Sequence, residues 1–204
     1  MTEHRQIIAI LRGLTPPEAI NVCNLLADTG ITMIEVPLNS PEPFKSIGAA
    51  AKALAGRAEI GCGTALSVED VEGTKNAGGS FVVSPDANED VIRRTRALGM
   101  ASYPGVFAPS EAFRAIRAGA TGLKFFPAEV LGPRGIKAMK AVLPPSMPLY
   151  AVGGASPDNF REYFAAGCAG FGLGSYIFKP GMGLDEIGAR ARAAVAAYDE
   201  GLGR

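Results

Sequence analysis

The chain holds one histidine, His4, and no tryptophan. Ser-His-Asp or Cys-His catalysis would have to run through a residue at the frayed start of the chain, so neither is expected. A zinc site built on several histidines is excluded, and Cys23, Cys62 and Cys168 are spaced too widely for a zinc motif. A magnesium held by carboxylates stays open. Three scattered cysteines fit reduced thiols of a cytoplasmic protein. Neither sign of charge is in excess, since Lys+Arg and Asp+Glu each total 20. That removes the usual mark of a nucleic-acid partner. No apolar run approaches the roughly 18 residues that a membrane span needs. The opening Met1-Thr2-Glu3-His4-Arg5-Gln6 leads almost directly into a strand-like run, so no signal peptide is expected.

What is present is alternation. At 204 residues, 48% of them hydrophobic, the chain can bury one ample core, and a single domain over 1–204 is expected. Short apolar runs read as strands at Ile7–Leu11, Met33–Leu38, Glu59–Gly63, Phe81–Pro85, Ala101–Gly105, Gly122–Pro127, Pro148–Gly154 and Cys168–Gly174. Helices are expected near Pro16–Asp28, Glu42–Leu54, Val68–Asn76, Asn88–Leu98, Pro109–Ala118, Pro133–Val142, Pro157–Ala166 and Leu184–Tyr198. Thr15, Ser67 and Ser156 stand as capping hydroxyls before proline or acids. Gly30, Gly78, Gly99, Gly119 and Gly167 mark helix ends. The returns Asp28-Thr29-Gly30, Asn76-Ala77-Gly78 and Arg117-Ala118-Gly119 are self-similar, which makes strand-then-helix a weak repeat. Eight such units with no linker favour a closed parallel (β/α)8 TIM barrel over an open doubly wound sheet, and no GxGxxG follows the first strand.

In such a barrel the chemistry gathers at the carboxyl ends of the strands. Lys124 lies inside Gly122-Leu123-Lys124-Phe125-Phe126-Pro127, where a lysine is rarely buried unless paired or functional. Desolvation lowers a lysine pKa, and neutral amine attacks ketones to form a Schiff base. Glu35 lies inside Met33-Ile34-Glu35-Val36-Pro37-Leu38, and burial would raise its pKa into the range of a general acid/base. A salt bridge between the two is the structural alternative. Arg12, at the end of the first run, can clamp an anion. Gly61-Cys62-Gly63-Thr64 offers bare backbone plus the amide and hydroxyl of Thr64, with Cys62 a packing residue. Gly153-Gly154 and Gly172-Leu173-Gly174-Ser175 end the seventh and eighth runs, the usual place of a phosphate in these barrels. Together these parts describe a Schiff-base aldolase for a phosphorylated keto acid. An isomerase or epimerase using Glu35 as base, and a non-catalytic phosphosugar-binding barrel, remain as alternatives.

The ordered set Ile8-Ala9-Ile10-Leu11-Arg12-Gly13, Ile34-Glu35-Val36-Pro37-Leu38-Asn39-Ser40, Gly61-Cys62-Gly63-Thr64, Leu123-Lys124-Phe125-Phe126-Pro127, Ala151-Val152-Gly153-Gly154 and Gly172-Leu173-Gly174-Ser175 resembles the KDPG/KDPGal aldolases over nearly the whole length. These are class I enzymes that cleave 2-keto-3-deoxy-6-phospho sugar acids. The resemblance implies Lys124 as the Schiff-base lysine and Glu35 as proton donor and acceptor. It implies Thr64 with Gly63 at the pyruvate carboxylate and Arg12 as a substrate-binding cation. Gly153, Gly154, Gly174 and Ser175 would hold phosphate, while Pro85 and Phe126 would wall the pocket. It also implies a homotrimer without metal or cofactor. Pro37, Asn39 and Val152 depart from the gluconate branch and look like the galactonate branch, with cross-activity toward the gluconate epimer expected. Val152 cannot hydrogen-bond a substrate hydroxyl, so a preference resting on that bond should weaken.

Overall fold

A computed structural model describes residues 5–203. His4, expected at the surface, lies outside the described residues. Strands β1 (Ile7–Ile10), β2 (Met33–Pro37), β3 (Glu59–Gly63), β4 (Phe81–Val83) and β5 (Ala101–Tyr103) alternate with helices α1 (Pro16–Thr29), α2 (Pro43–Ala53), α3 (Val68–Asn76) and α4 (Glu89–Ala97). Then come β6 (Gly105–Val106), α5 (Pro109–Ala118), β7 (Leu123–Phe125), α6 (Ala128–Lys140), β8 (Leu149–Val152), α7 (Phe160–Ala165), β9 (Gly170–Leu173) and α8 (Leu184–Gly201). All strand pairs are parallel, in the order β5-β4-β3-β2-β1-β9-β8-β7-β6.

The two ends of that order are one piece of chain. The expected strand Ala101–Gly105 is divided at Pro104, which has no N–H to give to a ladder. β5 pairs with β4, and β6 pairs with β7 through Gly105 opposite Lys124. The Pro104 carbonyl accepts from the Lys124 N–H at 2.9 Å. The sheet therefore curls into the expected (β/α)8-type barrel, and eight expected strands appear as nine.

Residues of one parity face outward onto the helices. Ile7, Ala9 and Leu11 join Val22, Cys23 and Leu26 of α1 in the large core between sheet and helices. The other parity fills the lumen with Ile8, Ile10, Met33, Phe81, Val83, Tyr103, Tyr150 and Val152. Tyr103 and Tyr150 meet edge to face at 5.2 Å, and the Tyr150 hydroxyl donates to Gln6. Outside the barrel, Phe171 of β9 stacks on Phe160 at 3.8 Å and meets Phe164 edge-on at 5.0 Å, pinning α7 to the sheet.

The caps divide the expectations. The Ser67 hydroxyl accepts from the Asp70 N–H at 3.2 Å, as expected. The Thr15 hydroxyl does not cap: the Glu18 carboxylate accepts from the Thr15 N–H at 3.1 Å and from the Thr15 hydroxyl as well. The Ser156 hydroxyl does not cap either. The segment opens as a 3-10 turn over Pro157–Asn159, where Asn159 accepts from the Ser156 N–H at 3.0 Å. The helix expected from Pro133 gains an extra turn ahead of it, because Ala128–Leu131 is already helical and Gly132 (φ 69, ψ 164) breaks the two apart. All five glycines expected at helix ends adopt positive φ.

Phe171 is fully buried at the junction of β9, α7 and α8. Phe171→Ala should lower stability by about 3–5 kcal/mol, read from urea unfolding midpoints at unchanged slope.

Candidate active site

Glu35 sits in the middle of β2, level with Ile10 on one neighbour and Gly61 on the other. Lys124 sits in the middle of β7, level with Gly105 and Tyr150. Strand alternation turns both side chains into the lumen, where Glu35 is 2% and Lys124 8% exposed. The salt bridge weighed above is not formed. Glu35 Oε2 is buried without a hydrogen-bond partner among the described residues. Burial pushes the Glu35 carboxyl up to about 7, against the opposing pull of Lys124 and Arg12. Burial likewise lowers the Lys124 pKa; Glu35 opposes this and Arg12 adds to it. The Lys124 ammonium lies 4.8 Å from the centroid of the Phe126 ring.

Gly63 makes room for the carboxylate. A Cβ at this position would come within 2.6 Å of Glu35 Cδ. The next residue, Thr64, takes φ +58, a left-handed conformation uncommon for any side chain and unfavourable for a β-branched one. That turn brings Thr64 to the cavity wall.

The cavity encloses about 690 Å³, a volume suited to a small metabolite. It brings together Arg12, Glu35, Thr64, Pro85, Lys124, Phe126, Val152, Gly153, Gly154, Gly174 and Ser175. Of the residues assigned to the site from sequence, Gly63 does not line the cavity; it touches it through Glu35. Arg12 is exposed at the mouth, where its Nη1 donates to Asn39 Oδ1 at 2.9 Å. Asn39 thus bears on the cavity through Arg12 and does not line it. Gly153 and Gly154 both adopt positive φ, turning the chain at the carboxyl end of β8. Cys62 is fully buried and burial pushes its thiol up to about 12, which fits a packing role. Among the described residues no three His, Cys, Asp or Glu side chains are grouped to hold a metal ion. No described helix is long and apolar enough to cross a membrane.

The sequence reading missed Ser156, Tyr176, Phe178, Lys179 and Pro180, which close the cavity from the loops after β8 and β9. No periodicity marks these positions, since the loop backbone alone decides where they point.

The family model for KDPG and KHG aldolases matches residues 1–188. The chain belongs to the KDPG and KHG aldolase family. It is 52% identical over 195 residues to a probable 2-dehydro-3-deoxy-6-phosphogalactonate aldolase of Rhizobium meliloti (strain 1021), covering 96% of this chain and 92% of that one. It is 43% identical over 196 residues to the 2-dehydro-3-deoxy-6-phosphogalactonate aldolase of Escherichia coli (strain K12), covering 96% of each. A solved native KDPGal structure superposes with a TM-score of 0.97 at 41% identity, covering 100% of this chain and 99% of that one.

The raised carboxyl of this aldolase family member has a consequence for folding. The folded state holds the Glu35 proton up to about pH 7, whereas the unfolded chain releases it near 4.5. Between those values the native state binds more protons, so stability falls as pH rises. Glu35→Gln removes that titration. The stability of the variant relative to wild type should grow between pH 5 and pH 8 by on the order of 3 kcal/mol, measured by urea unfolding. A gap that does not change with pH would mean an ordinary carboxyl.

Proposed function

We propose that the chain is a class I aldolase that cleaves 2-dehydro-3-deoxy-6-phospho-D-galactonate to pyruvate and D-glyceraldehyde 3-phosphate. The observation that carries this reading is the unpaired Lys124 beside the unpaired Glu35 in one buried lumen. The depressed lysine pKa supplies neutral amine for attack on the substrate ketone. Loss of water then gives an iminium on Lys124. Glu35 takes the proton from the hydroxyl at carbon four, directly or through a water. The bond between carbons three and four breaks, its electrons pass into the iminium, and the aldehyde leaves. The resulting enamine is protonated at carbon three by Glu35 and hydrolysed to pyruvate. A carboxyl near 7 can both take and return that proton.

Position in or beside the cavity supports the other assignments. Thr64, with Gly63 behind it, and Arg12 hold the carboxylate. Gly153, Gly154, Gly174 and Ser175 hold the phosphate through amides and a hydroxyl. Pro85 and Phe126 wall the reacting centre. Val152 offers only methyl groups to the sugar hydroxyls, and the two galactonate-acting relatives described above support that epimer over the gluconate one. The whole of 1–204 acts as one catalytic domain.

Pyruvate with borohydride should add one stable adduct to the intact mass, mapped to Lys124, and Lys124→Ala should abolish both adduct and turnover. Glu35→Gln should still trap pyruvate but turn over at least 100-fold more slowly, within the roughly 10²–10⁴ range of general acid–base catalysis. The galactonate epimer should give the higher kcat/KM of the two phosphosugar acids. A folded wild type that traps nothing would remove the covalent mechanism.

We further propose a homotrimer. Phe107, Phe126 and Val130 are 40%, 39% and 69% exposed and supply apolar surface for contact between copies. Light scattering should return three times 21.1 kDa, and a monomer mass would refute this.

A further inference from the structure

The cavity carries a charge arrangement that the glycine loops do not account for. Three cations line it, Arg12, Lys124 and Lys179, against one acid, Glu35. The first two are committed: Arg12 is held by Asn39, and Lys124 is the amine that captures the ketone. The Lys179 ammonium has no hydrogen bond or ion pair to any other described residue. It stands five residues after Gly174 in the loop that links β9 to α8, so it shares that loop with Gly174 and Ser175.

The loop is built to hold still. Ile177 and Phe178 are buried, and their N–H groups bond to the Gly174 carbonyl at 2.9 and 3.1 Å. The Arg190 guanidinium of α8 donates to the Tyr176 carbonyl at 2.8 Å and lies 5.8 Å from the Tyr176 ring. Pro180 rests on the turn after β1, where a Cβ at Gly13 (φ +88) would come within 2.7 Å of Pro180 Cγ. A lysine between two such anchors loses little backbone freedom on binding.

A phosphate monoester brings about −1.5 to −2 charges at neutral pH, and backbone amides carry only partial charges. We infer that Lys179 is the side-chain cation of the phosphate subsite, adding a full charge opposite the end of the substrate that does not react. This rests on the aldolase reading above and extends it to a residue outside the expected set. Lys179 then separates phosphorylated from unphosphorylated aldehydes and takes no part in the chemistry at Lys124.

The test runs the reaction in the direction of synthesis with pyruvate as donor. D-Glyceraldehyde 3-phosphate and D-glyceraldehyde are compared as acceptors for wild type, Lys179→Met and Lys179→Arg. In Lys179→Met the ratio of kcat/KM for the two acceptors should fall about tenfold, mainly through KM for the phosphorylated one, as expected for one lost charge-assisted contact. Lys179→Arg should retain most of the ratio. A ratio unchanged in Lys179→Met, or a loss equal for both acceptors, would overturn the inference. A wild type that condenses neither acceptor would instead overturn the aldolase reading, a result distinct from a retained ratio.

Discussion

The site depends on one constraint: a carboxyl and an amine share a buried lumen without closing into an ion pair. Were Glu35 and Lys124 in contact, each would fix the other in its charged form, and the amine would lose its nucleophilic state. Held apart, each responds chiefly to its own desolvation. The carboxyl is thereby pushed toward neutrality and the amine toward its free base. The barrel supplies the separation by placing the two groups on β2 and β7. The tyrosine pair Tyr103 and Tyr150 fills the lumen next to Gly122, two residues before Lys124 on the same face.

Much of this was legible in the sequence because a charged residue inside an apolar strand is conspicuous. Glu35 and Lys124 each break a run that would otherwise be core, and alternation along a strand fixes the face they share. The glycine pairs were legible for a related reason, since they end strands at the end of the barrel where ligands gather. The barrel itself followed from counting units.

The parts that escaped are those set by tertiary contact alone. Lys179 reads in sequence as one surface lysine among many. Only the seating of Pro180 on Gly13 and the hold of Arg190 on Tyr176 bring it to the cavity. Thr64 gives no local hint of a left-handed backbone, since a β-branched residue prefers the opposite. The hydroxyls of Thr15 and Ser156 do not cap because the N–H groups they would accept from, those of Glu18 and Asn159, bond to the Thr15 and Ser156 backbone carbonyls instead. The fifth expected strand is broken because Pro104 withholds a single donor, although the residues on either side of it pair with β4 and β7.

The contact between Gly63 and Glu35 reaches beyond the reaction. A side chain at 63 and a carboxylate at 35 compete for the same volume on adjacent strands, although the two positions stand 28 residues apart in sequence. Mutational drift can reshape the mouth of this barrel loop by loop and open it to new aldehydes. Position 63 cannot gain a side chain while the Glu35 carboxylate keeps its place, so the site diversifies from its rim while that part of its floor stays locked.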